Sequence, residues 1–92
     1  MAAEATTITP VSDGVRVVGT ETVYHGCLIS ETAAGTAEVK IREGSATGSM
    51  IDQITLAANG SAVHFFDFGI ICRGGIYLDV VSGTVEGTIF HH

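Results

Sequence analysis

Ala37, Val39 and Ile41 alternate with Glu38, Lys40 and Arg42, leaving one side of this segment apolar and the other charged. Side chains on a strand switch faces at every residue, so the pattern predicts a strand with one dry and one wet face. Ile76, Leu78 and Val80 alternate in the same way with Tyr77, Asp79 and Val81. Turns rich in Gly, Ala, Ser, Thr and Asn separate such segments, and none has helical periodicity. The chain reads as all-β, with about eight short antiparallel strands in a jelly-roll-like β-sandwich.

Residues 1–7 are small and polar and are expected to form a flexible N-terminal arm, ahead of a single β-sandwich domain over 8–92. A first strand is expected over Ile8 to Ser12, at a sheet edge, because Pro10 lacks a ladder N–H. Asp13-Gly14 predicts a hairpin turn into Val15 to Val18. Thr22 to Glu31 follows, with Val23, His25, Cys27 and Ile29 on one face and Tyr24, Gly26, Leu28 and Ser30 on the other. Apolar residues on both faces predict a central strand. Strands are then expected over Thr36 to Glu43 and Met50 to Ala57, the second with a bulge or two-sided burial at Ile51, which breaks phase with Met50, Ile54 and Leu56. Asn59-Gly60 predicts a hairpin into Ser61 to Phe68. After an irregular Gly69-Ile70-Ile71-Cys72, the final strands are expected from Ile76 and over Thr84 to Phe90.

Composition narrows the picture. A chain of 92 residues with 46% hydrophobic residues, many of them Ala, and no Trp has a thin core. Further burial between subunits is expected, as a homo-oligomer with a trimer favoured. The net charge is −6, and Arg16, Lys40, Arg42 and Arg73 are too few and too scattered to form a basic stripe, so no nucleic-acid partner is expected. Met1 to Thr7 has neither basic residues nor an apolar run, unlike a secretory signal. No apolar stretch reaches the roughly 20 residues of a membrane-spanning helix, and no membrane partner is expected. With no linker at either end, the chain is expected to be a whole protein. Cys27 and Cys72 read as buried, reduced small hydrophobes in a protein made in the cytoplasm.

Candidate chemistry is sparse. His25 and Cys27, two apart on one strand, are expected to share a face and, with His64, Cys72 or the terminal His91-His92, offer the ligand types of a zinc site. Without a CxxC or a helical HxxxH pair, a half-buried His and a core Cys are the expectation, with no metal and no cofactor. Asp52, Asp67 and Asp79 lie on different strands outside any calcium-type loop and are expected on solvated faces. No serine has a nucleophile-elbow context and no glycine loop precedes a helix, so no catalytic residue is assigned and an enzyme is not expected. Phe65-Phe66 places adjacent rings on opposite faces of one strand, so one fills the core and the other needs a cover.

The run from Tyr24 through His25-Gly26-Cys27-Leu28-Ile29-Ser30-Glu31-Thr32-Ala33-Ala34 to Gly35 resembles the opening of small β-sandwich virion proteins of tailed bacteriophages. Val39 to Gly48, Ile54 to Ser61 and the close from Gly75 to Val85 are similar to the same family, and the resemblance spans roughly residues 18–90. It implies a non-enzymatic part of the virion, such as a head decoration or cement protein or a fibre module, made in the bacterial host cytoplasm. Two features depart from that pattern: His25 and Cys27 stand at strand positions where plain apolar residues are expected, and the chain ends in two histidines.

The expected function is that of a capsid decoration or cement protein that binds the major capsid protein or another virion protein through a hydrophobic face. Tyr24, Phe65, Phe66 and Tyr77 are the expected subunit or partner contacts. The alternative is a carbohydrate-binding or host-adhesion module of a phage fibre, with Tyr24, Tyr77, Asp79 and Asn59 around a groove.

Overall fold

The computed structural model describes residues 4–92, which form eight strands. They are β1 (Glu4–Val11), β2 (Val15–Val18), β3 (Thr22–Glu31), β4 (Ala37–Glu43), β5 (Met50–Leu56), β6 (Ser61–Cys72), β7 (Ile76–Ser82) and β8 (Val85–His91). Two four-stranded antiparallel sheets result, ordered β1-β8-β3-β6 and β2-β7-β4-β5. The alternating strands bury their apolar phase between the sheets. Ile29, Val39, Ile41, Ile76, Leu78, Val85 and Ile89 are wholly inaccessible there. The sheets' edges approach each other along two sides, β5 against β6 and β1 against β2.

Three expectations change. Glu4 to Thr7, expected within an arm, extend β1 and pair with β8 from Glu4↔His91 to Thr7↔Thr88. The rest of that expected arm, residues 1–3, lies outside the described residues. Neither Asp13-Gly14 nor Asn59-Gly60 closes a hairpin, because β1 and β2, like β5 and β6, belong to different sheets. Turn chemistry specifies a reversal, but the buried faces decide which sheet the next strand joins. Pro10 does stand on an edge strand, beside a register shift.

The irregular stretch expected at residues 69–72 begins earlier and lies inside one long β6. Tyr24 pairs with Ile70 and Gly26 with Phe65, so Phe66, Asp67, Phe68 and Gly69 together oppose only His25. Gly69 takes φ 75° within this bulge, and Phe68 is thrust 99% exposed into solvent. Of the two alternatives at Ile51, a bulge or two-sided burial, the bulge is present. Ile41 pairs with Asp52 and Arg42 with Met50, leaving Ile51 as the extra residue, packed against the core.

Candidate functional site

The bulge in β3 decides where the chemistry-bearing side chains point. Simple parity puts His25 and Cys27 on one face, but the register shift between Tyr24 and Gly26 resets the count. Tyr24, Cys27 and Ile29 all turn inward and are fully buried, while His25 remains half-buried and Leu28 is exposed. Gly26 makes the shift possible with φ 141°, and a Cβ there would lie 1.9 Å from the His64 carbonyl oxygen. His25 and Cys27 therefore do not act together.

His25 instead stacks on His92, with ring centroids 4.5 Å apart, and its Nδ1 lies 3.2 Å from the Phe66 carbonyl oxygen. His91 points the other way, is 6% exposed, and bonds Thr6 Oγ1 at 2.8 Å and Thr22 Oγ1 at 3.2 Å. The terminal pair is thus divided between the two faces. Cys72 is buried, and its thiol donates to the Ile70 carbonyl at 3.5 Å.

Cys27 has different company. His64, paired with it across the ladder, shares its inward face. Asp52 on β5 keeps the phase of Ile54 and Leu56 and so also turns inward, contrary to the solvated position expected for it. These residues meet where the edges of β5 and β6 adjoin. His64 Nδ1 lies 3.0 Å from both Asp52 carboxylate oxygens, and the Tyr24 hydroxyl donates to Asp52 Oδ2 at 2.8 Å. Ligand atoms of Cys27, Asp52 and His64 all lie within 4.8 Å of one another. Burial pushes the Tyr24 hydroxyl far above the ordinary tyrosine range, reinforced by neighbouring Cys27 and Asp52. It also raises the Cys27 thiol, with the Asp52 charge adding to the effect. Asp67 and Asp79 stay apart from this cluster: Asp67 is exposed, and Asp79 accepts a hydrogen bond from Arg42 at 2.8 Å on the other sheet.

A second feature lies on the outer face of the β1-β8-β3-β6 sheet. Gly26 pairs with Phe65 on one side and Phe90 on the other, and the two rings stack 5.3 Å apart at 25°. Leu28 pairs with Val63, and Val23 with Ile71. Exposure along this face is 38% for Leu28, 53% for Val63, 65% for Phe65 and 59% for Ile71.

The expected contact residues part company here. Phe65 lies outward on this face, whereas Phe66 packs against the core with its ring centroid 5.9 Å from that of Tyr24. Tyr24 offers a partner no surface, because its hydroxyl finds an acceptor inside and its ring can be fully buried. Tyr77 is half-buried on the other sheet, close over Gly14, where a Cβ would lie 2.1 Å from its hydroxyl oxygen. Sequence reasoning missed Phe90. Its signal was the pairing of aromatics with a strand glycine, which gains cover from a neighbouring ring.

No protein-family model, curated protein or solved structure matches this chain.

Proposed function

We propose that this chain is a non-enzymatic structural protein of a tailed-bacteriophage virion, a capsid decoration or cement protein. It works as a homo-oligomer, with a trimer favoured, and buries one sheet face against neighbouring subunits and the major capsid protein. The observation that carries this reading is the apolar outer face formed by Leu28, Val63, Phe65, Phe90 and Ile71. Covering Phe65 alone would remove on the order of 100 Å² of apolar surface from water, worth about 3 kcal/mol. Repeated over many copies on a symmetric shell, contacts of this size add through multivalency.

The jelly-roll winding belongs to the same reading. Its support is the pairing of β1 with β8, β2 with β7, β3 with β6 and β4 with β5, as in one long hairpin. Rolling that hairpin until β8 meets β3 and β7 meets β4 produces the two sheets. The sequence resemblance to small phage β-sandwich proteins points in the same direction.

The test is immunogold labelling of phage particles released by the strain that encodes the chain, using antibody raised against the purified protein. Gold on the heads is expected. Particles without label overturn the virion assignment. Label on fibre tips together with specific glycan-array signal replaces the decoration reading with the host-adhesion one.

A further inference from the structure

We propose that Cys27, Asp52 and His64 form a binding site for a single zinc-class divalent cation that ties the two sheets together at the β5–β6 side. The donors are one sulfur, one carboxylate oxygen and one imidazole nitrogen, a mixed set that suits zinc better than calcium or magnesium. They come from three strands: Cys27 from the middle of one sheet, His64 from its edge, and Asp52 from the facing edge of the other. An ion held there bridges a boundary that no backbone ladder crosses.

The distances are close to those required. Tetrahedral zinc with Zn–N and Zn–O bonds near 2.1 Å separates nitrogen and oxygen donors by about 3.4 Å. His64 Nδ1 and the Asp52 oxygens are 3.0 Å apart, and no pair of donor atoms in the cluster exceeds 4.8 Å. Small side-chain rotations would bring these atoms to tetrahedral spacing. On binding, the thiol gives its proton to solvent, and the imidazole carries its proton on Nε2 so that Nδ1 is free to ligate.

Tyr24 is the positioning residue. Its buried hydroxyl donates to Asp52 Oδ2 while the Gln53 backbone N–H donates to Oδ1 at 2.8 Å, so the carboxylate is held in place with a lone pair on each oxygen still open to the ion, as outer hydrogen bonds orient carboxylate ligands. The His64 side chain is 34% exposed, which supplies an entry path and leaves the fourth position to water or to an atom of a partner. His25 and His92 form the competing pair, but among the described residues no third ligand joins them.

Cobalt(II) added to the metal-free protein reports on the site directly. One ion per chain is expected, with a near-ultraviolet thiolate-to-cobalt charge-transfer band that zinc abolishes by displacement. Zinc is expected to raise the melting temperature by several degrees. The band is lost in Cys27→Ser, and binding is lost in His64→Gln, whose position at the rim spares the core. Tyr24→Phe weakens binding by about 10–100-fold, while Cys72→Ser and the His25→Ala, His92→Ala double variant bind normally. Absence of saturable binding overturns the proposal. So does a charge-transfer band that survives Cys27→Ser, or one that disappears with Cys72→Ser.

Discussion

The rings of Phe65 and Phe90 close over Gly26 from opposite sides, 5.3 Å apart. The glycine gives the bulge that turns Cys27 inward, and the aromatic pair covers the backbone it leaves bare. An alanine there would place its Cβ 1.9 Å from the His64 carbonyl oxygen, at φ 141°. Gly26→Ala is expected to destabilise the fold by about 3 kcal/mol or more, read as a lower urea midpoint. A midpoint equal to wild type would show that the bulge is not held as described.

Glu31 provides a pH dependence whose sign is fixed. The residue is only 4% exposed, and its carboxylate accepts the N–H groups of Ala33 at 2.7 Å and Asn59 at 2.8 Å, joining the turn after β3 to the turn before β6. These backbone donors, Asn59 first, hold its pKa below the ordinary glutamate value. The stabilisation is present above the unfolded-state pKa of about 4.3. It is lost as pH falls through that value towards the lower folded one. Glu31→Gln should lower the melting temperature at pH 7 by several degrees and flatten the acid limb. Parallel acid limbs in the two proteins would contradict this.

Cys27 and Cys72 are both buried, and burial raises both thiols, with Glu43 adding to the effect at Cys72. The thiolate is the reactive form, so both should resist a disulfide reagent at pH 7.5 in the native protein and react within seconds in denaturant. Fast native labelling of either cysteine would show that the sheets open around it.

Much of the fold was legible because burial writes itself into alternation. The bounds of β3 follow from the turn residues that flank it, and the buried phases of β4 and β7 from single-residue parity. Parity failed where it was stretched across bulges: in β3, where Gly26 was the signal, since an isolated strand glycine marks such a break, and in β5, where the extra Ile51 leaves Met50 50% exposed although Ile54 and Leu56 are buried. The sheet assignment of β2 and β6 was not legible, because pairing partners are far apart in sequence while turn signals are local. Asp52 was legible in retrospect: an acid in phase with Ile54 and Leu56 faces the core, and a core carboxylate needs partners. Those partners, Tyr24 and His64, lie 28 and 12 residues away, beyond any local pattern.

Arg42 and Asp79 mark the opposite case, an ion pair on a wet face with side chains 22% and 27% exposed. Arg42→Ala is expected to cost about 1 kcal/mol or less in denaturant unfolding. A loss of several kcal/mol would show that this face of the second sheet is organised by charge and not merely solvated.

The most direct test of the proposed mode of action is the absolute mass of the protein in solution, measured by light scattering over a dilution series beside Phe65→Ser. Phe65 is 65% exposed, so the serine removes apolar surface without opening the core. The wild type is expected to remain a trimer or larger ring on dilution, and the variant to fall to a folded monomer. A wild-type monomer at every concentration, or a variant that assembles as well as the wild type, would contradict the claim that this sheet face is where the protein joins its copies.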